Sequence, residues 1–287
     1  MAAVPPTGMS RPPAARPPEV LAVDPLSADL AAFYAETEAR RLAAGLMRTD
    51  PGTEAMPASA ARLAEIYALV ALRDETAQGS APAVLRRWQA PVRLSLHFGA
   101  TTGRAVQSRD RAAFEALAQR LSEASGHPVT LAPAGETRGN FHVLVLSESE
   151  RRDAGERLRA LVPGIDARAV RLITDMPRDT FCMALAFSRD GSSVYTEAVA
   201  VIRAEHPDLT RLACYHEEIA QGLGLAADDP RARPSIFNDD QEFAVLTGLD
   251  ALLLRMHYDA RLSPGMTLAQ ARATIFAIAS ELVAGAS

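Results

Sequence analysis

The 287-residue sequence contains no lysine, and all 30 of its basic residues are arginine. That absence excludes Schiff-base lysine chemistry and any phosphate-binding loop that relies on a lysine. Cysteine is scarce, with two in the chain, too few for a cysteine-rich zinc knuckle or a disulfide scaffold. Apolar runs are short, and none approaches the roughly 20 residues that a helix needs to cross a bilayer. Positive charge is in deficit too. At a net charge of -5, nothing in the composition recruits nucleic acid by counterion release. The chain also begins without the charged-then-apolar-then-small pattern of an export signal. Taken literally, that start keeps the protein in the cytoplasm. A tether whose targeting segment lies outside this sequence fits it equally well.

What is present is an ordinary globular balance. Hydrophobic residues make up 48% and charged residues 23%, which argues against wholesale disorder. The length allows one large domain or two small ones. Residues 1–25 read as a disordered Pro-rich arm, because Pro5, Pro6, Pro12, Pro13, Pro17 and Pro18 cannot donate backbone hydrogen bonds. Residues 26–80 read as a helical segment packing on the main domain. One helix is expected at 27–47 with Ser27 as its N-cap. A second is expected at 59–77, where Ser59 precedes Leu63, Ile66, Tyr67 and Val70 at helical spacing. Asp50-Pro51-Gly52 breaks the chain between them.

Residues 84–287 read as the main domain. Val92, Leu94 and Leu96 alternate with polar residues, as in a half-buried strand. A helix at 108–125 follows, then an apolar strand through Phe141, Val143 and Val145. Two more strands are expected at 181–187 and 193–202, separated by a turn at Asp190-Gly191. Helices close the chain at about 209–225, about 242–257 and from 268. The last is announced by the capping-box pair Thr267 and Gln270. This order predicts an α+β fold with α/β-like succession: a mixed sheet with packed helices, plus an N-terminal helical layer.

The stretch from Cys214 to Leu225 holds the candidate chemistry. On a helix, Glu217, Gln221 and Gly224 share one face, while His216 falls with Leu212, Ile219 and Leu223 on another. Glu218 lies at the border of the polar face. His216-Glu217 begins a His-Glu-x-x-His zinc signature, but Ala220 stands where the second imidazole belongs. Shifted by one residue, the frame runs Glu217-Glu218-Ile219-Ala220-Gln221. It keeps a glutamate where a general base would stand and replaces both imidazoles by Glu217 and Gln221. Neither register supplies zinc ligands, so no metal and no cofactor is expected.

The second register continues through Gly222, Leu223 and Gly224 and resembles the metzincin pattern H-E-x-x-H-x-x-G-x-x-H. Gly224 stands at the turn glycine, and Ala227, next to Asp228, at the third ligand. Ser235-Ile236-Phe237-Asn238 resembles the metzincin Met-turn, with Phe237 in the place of Met. More closely, three runs are similar to the bacterial domain of unknown function 2927: Glu217 to Leu225, Ser235 to Asp239, and Tyr258 to Met266. Members of that family are often lipoproteins or exported proteins of unassigned activity. The resemblance implies a zincin-like sheet, a site at Glu217, Glu218, Gln221, Gly224, Asp228, Phe237 and Asn238, and a periplasmic or envelope location. In an oxidising compartment Cys182 and Cys214 would bridge strand to helix; in a reducing one both would be small buried apolar residues.

Three functions follow as expectations. The first is a degenerate metallopeptidase-like domain that binds a peptide or cell-envelope component along the edge of the strand at 193–202. The second is an active hydrolase with Glu218 as general base. The third is a purely structural envelope domain. Blander roles stand beside these for the single residues. The polar face of the helix could be merely solvated, His216 a satisfied core residue, and Arg231 and Arg233 surface partners of nearby aspartates. The pairs Asp228-Asp229 and Asp239-Asp240 could hold a hard cation or simply form turns.

Overall fold

Three strands with alternating or continuous apolar residues lie side by side: β2 (Val92–Phe98), β4 (Phe141–Leu146) and β6 (Val194–Arg203). β2 pairs with β4, and β4 with β6, both in parallel. Two short strands, β1 (Arg87–Trp88) and β3 (Val129–Leu131), add in parallel to β6 and β2. β5 (Cys182–Ser188) runs antiparallel to β6. The result is an α+β fold around a mixed six-stranded sheet. The computed structural model describes residues 25–52, 59–73, 83–189, 191–238 and 240–285. Apart from Pro25, the expected arm lies outside the described residues, as do 74–80, Asp190 and Asp239.

The helices fall on both faces, because alternation along each strand gives the sheet two apolar surfaces. Phe141, Val143 and Val145 of β4 join the larger core, with Ala198, Ala200 and Ile202 of β6. That core is covered by α2 (Ala60–Ala71), α3 (Arg104–Ser125), α7 (Asp208–Gly222), α8 (Gly248–His257) and α9 (Leu268–Gly285). Leu144, Leu146, Val199 and Val201 point the other way. They pack under α5 (Gly155–Leu161) and α6 (Ala167–Thr174), which follow the short polar helix α4 (Glu148–Arg152). On the same face Ser95 Oγ lies 2.7 Å from His142 Nδ1 and 3.0 Å from His97 Nε2, a buried polar cluster within the sheet.

Several expectations are corrected. The first helix, α1, starts at Pro25 and ends at Ala43, since proline suits a first helical turn. Ser27 lies inside it, and its hydroxyl donates to Glu205 at 2.7 Å instead of capping. Residues 242–247 are not helical: Thr247 and Asp250 form the capping box that starts α8. β6, expected to offer an open edge at 193–202, is flanked by β4 and β5. Among the described residues β5 pairs with β6 alone, so the open edge belongs to β5. The Ser59 cap on α2 and the Thr267–Gln270 box before α9 form as expected.

Candidate functional site

α7 follows β6 and is fixed at its far end by close contacts. Trp88 Nε1 donates to Gly222 O at 2.8 Å, and Tyr258 Oη donates to Leu223 O at 2.9 Å. At Gly222 a side chain would meet the Phe141 ring at 2.4 Å. Gly224 has φ +122, and a Cβ there would lie 2.2 Å from His257 Nε2. The chain turns here because only glycine fits both the dihedral and the space. Gly224 therefore packs against His257 and the Arg86 carbonyl.

The residues of α7 divide as the helical wheel implies, except for Glu218. His216 is 7% exposed, and its Nδ1 accepts the Leu246 N–H at 3.1 Å. Burial and the charge of Arg120 lower its pKa to about 3. It is a satisfied core histidine. Glu217 and Gln221 are half-buried. Gln221 Nε2 lies 3.4 Å from both carboxylate oxygens of Asp228, so these two sequence-predicted residues meet. Glu218 is turned inward and is 4% exposed. Burial, then the charges of Glu217 and Asp228, push its carboxyl well above the usual range, against a hydrogen bond from the Ala184 N–H. Its Oε2 has no hydrogen-bond partner. A carboxyl in this setting is held protonated at pH values where an exposed one is ionised.

The bond from Ala184 ties Glu218 to β5. That N–H is not spent on β6, so by antiparallel alternation the backbone groups of Cys182, Ala184 and Ala186 face away from β6. Cys214 of α7 forms a disulfide with Cys182, with Cα atoms 5.9 Å apart. Edge strand and helix are thus joined by a covalent bond and a hydrogen bond beside the same polar residues.

Below α7 the turn at 235–238 is held by α8. Ser235 Oγ donates to Asp250 Oδ1 at 2.5 Å, and the Ile236 N–H donates to Asp250 Oδ2 at 3.2 Å. Phe237 is fully buried, and its carbonyl accepts the Asp229 N–H at 2.9 Å. Asn238 is 1% exposed with Nδ2 unpartnered, while its Oδ1 accepts the Asp240 N–H at 3.2 Å. Ala227, at the third ligand position of the resemblance, is buried and donates its N–H to Val70 O. Glutamate, glutamine and alanine do not make a zinc site. Among the described residues no group of three or more His, Cys, Asp or Glu is placed to hold a metal ion.

The aspartates flanking this turn are engaged by arginines. Arg231 and Arg73 each reach Asp229 at 2.8 Å, and Arg233 reaches Glu242 at 2.5 Å and also pairs with Asp240. Sequence reasoning missed Arg41 of α1. Its guanidinium stands 4.5 Å over the Phe181 ring, and Glu217 and Glu38 act on it electrostatically. No local pattern in the sequence connects residues 41 and 217; the packing of α1 brings them together. A cavity of about 1180 Å³ lies between α2 and α9, with no α7 residue in its walls.

The fold and this site define an α+β domain whose polar helix lies beside an open antiparallel edge strand. A family model described as "Protein of unknown function (DUF2927)" matches residues 60–277. The chain belongs to that family. No curated protein matches it, and no solved structure does.

Proposed function

We propose that the chain is a degenerate metallopeptidase-like domain that binds a peptide, or a peptide-bearing component of the cell envelope, along the part of the β5 edge that follows Ala184. The observation that carries this reading is the junction of that edge with α7. Glu218 takes the Ala184 N–H, and Glu217 and Gln221 lie on the same helix. An extended peptide adds to such an edge through main-chain hydrogen bonds. The metzincin resemblance is supported by a mixed sheet with an antiparallel edge strand, a helix after the neighbouring strand, a glycine turn at Gly224 and a buried turn at Ser235–Asn238. The family resemblance supports an envelope location, and the disulfide agrees with it.

A second reading is favoured by Glu218 alone, because burial holds its carboxyl protonated above the usual carboxylate range, as a general acid requires. One set of measurements separates the two. Purified protein is assayed for zinc, for binding to a library of extended peptides, and for their hydrolysis, beside Glu218→Gln. The binding reading expects no stoichiometric zinc, saturable binding and no cleavage. Cleavage that Glu218→Gln abolishes without unfolding the protein would establish the hydrolase. Neither binding nor cleavage would leave a structural envelope domain.

A further inference from the structure

The cavity of about 1180 Å³ between α2 and α9 shares no residue with the Glu217–Glu218–Gln221 site. It exceeds the roughly 300–1,000 Å³ of most small-molecule pockets. Eleven of its fifteen wall residues are apolar, among them Leu69 of α2 and Leu268, Ile275 and Phe276 of α9. Phe276 is 51% exposed although it lines this apolar surface. Large apolar side chains that face water along a concave apolar surface mark ligand grooves.

The other four wall residues are charged: Glu65, Arg73, Arg231 and Arg272. None carries an uncharged polar side chain. A sugar, a nucleotide or an extended peptide would bury hydroxyls and amides here with no such side chain to pair them. A ligand that is apolar along its length and charged at one end avoids that cost. The sign of its charge follows from the arginines. Arg73 and Arg231 each reach Asp229 at 2.8 Å, while Arg62 reaches Glu65 at 2.8 Å and Arg231 reaches it at 3.7 Å. Three cations thus meet two carboxylates, and a positive surplus remains. Arg272 adds to it, since among the described residues it makes no hydrogen bond or ion pair. It is exposed and lies one helical turn from both Leu268 and Phe276. An arginine so placed lays its apolar stem along the groove, keeps its guanidinium in water and can bind a carboxylate with two parallel hydrogen bonds.

We propose that this cavity binds a long-chain fatty acid, with the alkyl chain against the apolar walls of α2 and α9 and the carboxylate at Arg272. The test is titration calorimetry on the delipidated full chain with hexadecanoate below its micelle concentration, beside octanoate and hexadecanol. Hexadecanoate is expected to bind stoichiometrically. Octanoate, with half the carbons, should bind weaker by on the order of a hundredfold or more, since each methylene taken out of water contributes to binding. Hexadecanol keeps the chain and loses the charge, and it should bind about tenfold more weakly. Arg272→Gln should weaken hexadecanoate by about the same tenfold and leave hexadecanol unchanged, a pattern that a general disturbance of the fold does not give. Ala273→Trp fills the groove from an exposed wall position and should abolish binding of both with an unchanged unfolding transition. No binding of hexadecanoate, equal binding of octanoate or hexadecanol, or an Arg272→Gln protein that binds hexadecanoate as the wild type does would each overturn the assignment. So would an Ala273→Trp protein that folds and binds normally. A stable dimer in sedimentation that Ala273→Trp dissociates would overturn it too, by giving this face to a second copy of the chain.

Discussion

His216 and Glu218 are two residues apart on α7 and both are buried, yet only the imidazole has its hydrogen bonding arranged within the core. His216 accepts a backbone N–H and sits neutral among apolar neighbours. Glu218 leaves one oxygen unpartnered beside two other carboxyls, a costly arrangement for a residue with no role. Gly224 gives the contrasting case, where geometry alone dictates the residue. Its φ of +122 and the 2.2 Å from a Cβ to His257 Nε2 leave no room for alanine. Gly224→Ala should destabilise the fold by about 2–4 kcal/mol, combining backbone strain with overpacking. Urea unfolding measures it. A change below about 0.5 kcal/mol would mean that the turn relaxes freely and that Gly224 does not pin the end of the helix.

At the level of elements, the contact that organises the candidate site is β5 against α7, and the Cys182–Cys214 bridge spans it. With the cysteines 32 positions apart in the sequence, closing that loop stabilises the fold by about 3–4 kcal/mol in the chain-entropy model. Replacing both cysteines by alanine should lower the unfolding free energy by that amount, and denatured, unreduced wild type should titrate no thiol. Two free thiols per chain would remove the bridge from the account. This junction also marks how far sequence reading reaches. β2, β4, β6 and α7 are legible because apolar alternation and helical spacing follow directly from which face is buried. The helices over 148–174 are not, because Glu148, Arg151 and Arg203 are buried there as an ion network that mimics surface composition. Alternation places the open edge on β6 instead of β5, since it reports burial but not neighbour order.

Over the whole molecule, buried titratable groups set the pH range of stability, and two sets act in opposite directions. His206, His216 and His257 are deeply buried, and burial lowers the pKa of each to about 3. They stay neutral in the folded state, while in the unfolded chain they protonate below about 6.5. The unfolded state therefore binds more protons below that pH, and stability falls as pH drops from about 6.5 toward 3. The limiting slope is about 1.4 kcal/mol per pH unit for each histidine. Glu218 and Asp250 act in the other sense. Burial raises both, so above about pH 4–4.5 the unfolded chain releases protons that the folded chain keeps. Their contribution to stability is greatest in acid and shrinks as pH rises. Because Glu218→Gln deletes one opposing group and leaves the histidines, it isolates the carboxyl. Near pH 4 the variant and wild type should unfold at similar denaturant concentrations. From pH 5 to 8 the variant should become progressively the more stable, while both lose stability together between pH 6 and 4. Parallel curves across the whole range would show that Glu218 titrates as an exposed carboxyl does. Its burial under β5, and with it the site proposed on that helix, would then have to be abandoned.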